Sequence, residues 1–192
     1  MMSQTSDGDR LLIPVSKHDH TQGGIDASVI LVEYGDYQCL SCDEAFWGVP
    51  GTGLANEETL LAFDASPAVA ADAHTVTEIE RRLLETPNIE GIALRYGFLY
   101  GSGTWFAADG DVANQVRQQQ FPIVGNGESI WSWLHIEDAA IATVAAAEQG
   151  NPGIYLITDD RPLEVREWLS AYARWLNAPP PHRHRRYHLR RR

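Results

Sequence analysis

The chain has 192 residues, 44% of them hydrophobic and 21% charged, which fits one soluble globular domain or a domain plus a fragment. No apolar run reaches the ~18 residues of a membrane span, and the polar amino terminus lacks the apolar core of a signal peptide, so neither a membrane nor export is expected. Of 15 basic residues, six are arginines after His182, leaving nine against 26 acidic residues in the body; this acidity argues against nucleic acid as a partner.

Taken in chain order, residues 1–27 read as an irregular lead-in. The β-branched run Val29 to Tyr34 predicts a buried strand. Gly35 to Gln38 breaks it, and Cys39 to Phe46 follows as a helix opening. Ala68 to Leu84 carries Val69, Val76, Ile79, Leu83 and Leu84 at helical spacing. A strand is expected over Ile89 to Arg95, then a glycine-rich turn from Gly97 to Gly103, then a helix over Asp111 to Gln119. Phe121 to Val124 reads as a short strand and Gly125-Asn126-Gly127 as a turn. Ile130 to Ile136 reads as one strand and Glu137 to Gln149 as a helix with acids in its first turn, ending at Gly150. Ile154 to Thr158 is a strand, and Leu163 to Leu176 a helix stopped by Pro179-Pro180-Pro181. Strands alternating with helices give an α/β fold with a small sheet.

Lysine occurs once, at Lys17, preceded by Ser16 and with Ile13 four residues before it. A Walker A phosphate loop and a Tyr-x-x-x-Lys acid/base pair are both excluded. No G-x-G-x-x-G turn opens a βαβ unit; the pairs Gly48/Gly51, Gly51/Gly53, Gly101/Gly103 and Gly125/Gly127 each lack a third glycine.

Cys39 and Cys42 are the two cysteines, spaced C-x-x-C after a strand. At a helix N-terminus the first thiolate is stabilised and the second cysteine can resolve a mixed disulfide. Inert thiols are the bland alternative. Zinc held with His18 and His20 is another, at an atypical His-x-His spacing. The stretch from Pro14 to Cys42 resembles the opening of a DsbA-like thioredoxin-fold protein, with Leu40-Ser41 where that family often has Pro-Tyr. The resemblance covers residues 11–46 and implies a nucleophilic Cys39 and a resolving Cys42.

Residues 47–181 resemble the carboxy-terminal part of an NAD(P)-dependent epimerase/dehydratase, an extended short-chain dehydrogenase. The matching stretches are Leu94 to Trp105, Pro122 to Gly127, Trp131 to Ala140, Gly153 to Pro162 and Arg166 to Leu169, in the family's order. The resemblance implies NAD or NADP as cofactor and a small-molecule substrate. It places Gly97, Tyr100, Gly101 and Gly103 near the nicotinamide end, with Ser102 where the family has proline. It places Trp133, His135 and Asp138 at the substrate cleft. Each has a structural alternative: a strand-ending turn for the glycines, helix entry and capping for His135 and Asp138, and a packed core for Trp131 and Trp133. Asp159 and Asp160 read as a solvated turn.

The expectation is a composite chain. Residues 1–46 form a thioredoxin-like strand-helix fragment, 47–181 an incomplete Rossmann-like, substrate-lobe portion, and 182–192 a disordered basic tail. The expected function is that of an oxidoreductase-family protein lacking its dinucleotide-binding half, weak or inactive alone and not binding NAD(P) by itself. A protein partner would supply the missing half. The alternative is a small thiol–disulfide oxidoreductase using Cys39 and Cys42. The lack of a signal peptide implies a cytoplasmic location with reduced thiols.

Overall fold

The computed structural model describes residues 56–58 and 67–184. Helix α1, Pro67–Glu85, starts on a proline, whose missing N–H costs nothing in a first turn. Its inward stripe holds buried Ala73 and Glu80 with half-buried Val76, Ile79 and Leu83, whereas Leu84, read from spacing as apolar face, is exposed. The helix ends where the Thr86 amide and hydroxyl both donate to the Arg82 carbonyl and Pro87 follows. Strand β1, Ile92–Tyr96, pairs with β6, Gly153–Ile157. Between α1 and β1 the chain passes so close to Leu83 that a Cβ at Gly91 would collide with its carbonyl oxygen.

Strand β2, Phe98–Tyr100, pairs in parallel with β5, Trp133–His135, in the register Phe98↔Trp133, Leu99↔Leu134, Tyr100↔His135. Sequence alone suggested a turn here. Gly97 lets the chain approach the 132–133 backbone, where a Cβ would meet the Ser132 carbonyl at 2.8 Å. Helix α2 is Asp111–Arg117, strand β3 is Ile123–Val124, and strand β4 is Ile130–Trp131. The run 130–136, expected to be one strand, is two. Its first part pairs antiparallel with β7, Leu163–Glu164, and its second with β2; the Ser132 carbonyl between them accepts the Phe98 amide.

Helix α3 is Ile136–Gln149 and helix α4 is Val165–Trp175. Residues 163–164, read as the start of α4, are extended instead. Glu164 has φ −68° and ψ 145°, and the Val165 amide donates to the Ser129 carbonyl rather than within a helix. Strand β8, Arg183–His184, pairs in parallel with β3. The expected disordered tail therefore begins with an ordered strand; residues 185–192, like the 1–46 segment with Cys39 and Cys42, lie outside the described residues.

The described residues divide into two compact units. One holds α1, most of β1, most of β6 and the later part of α3; the other runs from Tyr96 to Ala142 and from Ile157 onward. In the first unit Arg95 grips Glu80 with two parallel bonds of 2.7 Å, both side chains about nine-tenths buried. Fork-to-carboxylate geometry of this kind is what makes burial of both charges tolerable. The core of the second unit is aromatic. Phe98 stacks on Trp131 at 4.0 Å, Phe106 meets Trp133 edge-on at 4.9 Å, and Trp168 lies 5.0 Å from Trp131 and 4.9 Å from Trp133. Offset and edge-on arrangements are the favoured ones for such rings. The Nε1 groups of Trp133 and Trp168 are buried there without a hydrogen-bond acceptor. Tyr172 closes the cluster by donating its hydroxyl to the Phe106 carbonyl at 2.9 Å.

Candidate functional site

Parallel strands carry their ligand crevices outside their carboxyl ends. On the β2–β5 pair that end is Tyr100 beside His135. Phe98 and Tyr100, two residues apart, share one face of β2, and the burial of Phe98 at the start of the strand gives way to exposure of Tyr100 at its carboxyl end. The Tyr100 ring meets His135 edge-on at 5.1 Å and Trp133 at 6.2 Å. Asp159, two residues past the end of β6, is the carboxylate whose hydrogen bonding bears on the Tyr100 phenol. The Asp159 amide is itself fixed, donating to the Trp133 carbonyl at 2.6 Å.

Partial burial, the hydrogen bonding of Asp159, and the negative charges of Asp159 and Asp138 all push the Tyr100 phenol above its ordinary value. Each of these effects disfavours the phenolate. Tyr100 is therefore a neutral phenol at physiological pH and cannot act there as a base.

His135 accepts the Glu137 amide at Nδ1 over 3.4 Å, tying the ring to the first turn of α3. Beside it Gly101 has φ +115°, and a Cβ there would stand 2.9 Å from both His135 Nε2 and Ile136 Cγ2. Glycine is required twice over, by conformation and by contact. Thr104 holds the loop, its amide and hydroxyl both donating to the Gly101 carbonyl. Gly103 has φ +80° and, among the described residues, nothing within 4 Å of where a side chain would be.

The structure thus brings together Tyr100, Gly101, Gly103 and His135, with Asp138 in the exposed first turn of α3 contributing charge. It places Gly97 at the opposite end of β2, where its role is close strand packing. Trp133 lies in the aromatic core, 8% exposed, rather than on the surface beside Tyr100. Asp159, read from sequence only as part of a solvated turn, is half-buried and is the carboxylate that bears on the Tyr100 phenol. Its position just past the end of an apolar strand was the available signal. Cys39 and Cys42 lie outside the described residues, and among those described no three metal-ligating side chains gather. No described helix is long and apolar enough to cross a membrane.

Residues 50–158 match the model of the NAD dependent epimerase/dehydratase family. A 3-diazoavenalumate denitrifying reductase from Streptomyces sp is 42% identical over 139 residues, which are 71% of this chain and 45% of that protein. Two solved structures share the fold. The dTDP-glucose 4,6-dehydratase of Bacillus anthracis, solved in complex with NAD, is 22% identical with a TM-score of 0.57, covering 76% of this chain and 48% of its own. The dTDP-glucose 4,6-dehydratase of Streptomyces venezuelae, with NAD and TYD bound, is 21% identical with a TM-score of 0.58, covering 75% and 45%. This chain therefore spans a little under half the length of these relatives. The fold agrees with theirs, and the matched stretch exceeds half of the sequence: the chain belongs to the NAD dependent epimerase/dehydratase family.

Proposed function

We propose that this chain carries the substrate-facing portion of an NAD(P)-dependent reductase acting on a small organic molecule. The observation that carries the reading is the cluster at the carboxyl end of β2 and β5. A neutral phenol, an oriented imidazole and a bare glycine backbone converge there. The reductase name of the Streptomyces relative supports reduction as the direction of the chemistry.

A nicotinamide ring fits this place in two respects. Gly103 presents backbone with no side chain in the way. Tyr100 and His135 offer an aromatic wall without a negative charge of their own in direct contact. Tyr100, Gly101 and Gly103 would hold the nicotinamide end, and His135 with Asp138 would face the substrate. When bound, the cofactor supplies hydride. The chain's residues orient the acceptor and hold a proton on the Tyr100 oxygen.

The sequence contains no G-x-G-x-x-G turn to grip the diphosphate, and no tyrosine–lysine pair. We therefore expect the chain by itself to hold a dinucleotide weakly and turn it over slowly, with the grip supplied by a further dinucleotide-binding half.

Titration of the full chain with NADH, NADPH and reduced nicotinamide mononucleotide, followed by tryptophan fluorescence, tests this. The expected result is weak binding, with the mononucleotide and the dinucleotides within a few-fold of one another, and loss of the response in Tyr100→Ala, which removes the aromatic wall. Saturable micromolar binding of NADH or NADPH would overturn the weak-grip reading. No response of the cluster to any of the three would overturn the nicotinamide assignment.

A further inference from the structure

We propose that the outer edge of β6 is a strand-pairing surface for a second copy of this chain, and that the Glu57 side chain plugs it. The inference uses none of the residues clustered at Tyr100 and His135 and is independent of the nicotinamide reading.

Along a strand, successive residues turn their main-chain N–H and C=O groups to opposite edges. In β6 the Gly153 amide donates to the Gly91 carbonyl and the Ile157 carbonyl accepts the Gly97 amide, both on the β1 side. Gly153, Tyr155 and Ile157 therefore face β1, and Ile154 and Leu156 turn their groups away from it. Among the described residues β6 pairs with β1 alone, so no described strand lies along that outer row.

The outward Leu156 amide donates instead to Glu57 Oε1 at 3.2 Å, across 99 positions of sequence. A local turn presents the carboxylate: the Glu58 amide donates to Asn56 Oδ1 at 3.1 Å. The Glu57 main-chain amide and the Leu156 amide, with a lesser pull from Arg95, hold the Glu57 carboxyl below its ordinary value. It is therefore charged at neutral pH, and a charged acceptor makes the stronger bond.

The occupant follows from the strand itself. Gly153 to Thr158 reads Gly-Ile-Tyr-Leu-Ile-Thr, with no charge and no proline. Apolar segments rich in β-branched and aromatic residues, bare along one edge, pair with their own kind. The outward groups are also self-complementary. Turned antiparallel about Tyr155, two β6 strands set Ile154 of each copy opposite Leu156 of the other. These are the pairs that exchange both main-chain bonds, so every outward group finds a partner across one two-fold axis. That pairing needs the Leu156 amide, which Glu57 occupies. An incoming strand must displace the carboxylate and desolvate it, a penalty that an uncharged side chain does not impose.

The test is sedimentation velocity of the full chain over a range of concentrations, with hydrogen exchange of the Leu156 amide as the local readout. Glu57→Ala is expected to associate at about tenfold lower concentration than wild type, the factor set by one hydrogen bond that need no longer be displaced. Glu57→Gln keeps an acceptor oxygen without the charge and should fall between the two. Ile154→Pro removes an outward donor and spares the β1 ladder; added to Glu57→Ala, it should abolish the extra association. Tyr155→Lys leaves the main chain untouched and sets like charges opposite one another across the axis, so it should do the same. Below the concentration of association, the Leu156 amide should exchange about tenfold faster in Glu57→Ala than in wild type. Association of Glu57→Ala at the wild-type concentration overturns the proposal, as does extra association that neither Ile154→Pro nor Tyr155→Lys removes. An unchanged Leu156 exchange rate in Glu57→Ala overturns the plug.

Discussion

The two compact units solve the same problem with opposite chemistry. Around α1 and β1 one buried ion pair, Arg95 on Glu80, ties helix to strand at 2.7 Å. Around β2, β5 and α4 the tie is a cluster of rings from six aromatic residues, and the uncompensated polar groups are two indole N–H donors. The difference shows how sequence economy reads in each. An ion pair depends on both partners, so losing one strands the other in low dielectric. An aromatic cluster is redundant in contacts but intolerant of lost volume.

The comparison breaks most visibly at Trp168, 5% exposed and within 6.5 Å centroid distance of Phe106, Phe121, Trp131, Trp133 and Tyr172. Trp168→Ala is expected to cost about 3–5 kcal/mol in denaturant unfolding, the transfer loss plus the cavity. Trp168→Phe should cost much less. It keeps a ring and removes an indole N–H that has no acceptor, so part of the lost packing is offset. Equal costs for the two would mean that volume does not decide this core.

Next in size is the ion pair. Arg95→Leu is expected to destabilise by roughly 3 kcal/mol, because Glu80 is left buried without its counter-charge. The double variant Arg95→Leu/Glu80→Leu should recover most of that loss in the same unfolding measurement, since two apolar side chains replace a closed pair. A double variant as unstable as the single one would show that the carboxylate, not the missing arginine, was irrelevant. No such recovery is open to the aromatic cluster.

Much of this was legible in the sequence and some was not, for identifiable reasons. Helices α1, α2 and α3 follow from apolar spacing and their end signals, such as Pro87 after α1 and Gly150 after α3. The short strands did not follow. Phe98 to Tyr100 is flanked by glycines and looks like a turn; it is a strand because Gly97 permits an approach to Ser132 that no local pattern encodes. Residues 130–135 read as one mostly apolar run while changing partner at Ser132, and periodicity cannot register a change of partner. At the site, Tyr100, His135 and the glycines came from recognisable stretches. Asp159 did not, because its meaning lies in a hydroxyl 59 residues away in the chain.

Between the site and the scaffold, glycine substitutions give a finer contrast. Gly101→Ala must accommodate a Cβ 2.9 Å from His135 and Ile136 at φ +115°, and is expected to cost about 1–3 kcal/mol and to displace the His135 imidazole. Gly103→Ala meets nothing within 4 Å and pays only the backbone cost at φ +80°, about 1 kcal/mol. Thermal unfolding ranks them, and the His135 ring signals separate them: only Gly101→Ala should shift those signals.

The smallest effect belongs to the hydroxyl that closes the aromatic cluster. Tyr172 donates to the Phe106 carbonyl, and burial, opposed by the charge of Arg117, pushes its phenol up to about 12. A group whose folded value lies above its unfolded value holds an extra proton in the folded chain between the two. The stability it contributes is intact below pH ~10 and is lost as pH climbs toward 12, because ionisation destroys the donor and places a charge among rings. Tyr172→Phe should lose about 1 kcal/mol at neutral pH through the missing hydrogen bond. It should then unfold with a shallower dependence on pH between 10 and 12 than the parent chain. Two parallel alkaline curves would mean that Tyr172 ionises freely and that the rings around it do not exclude water.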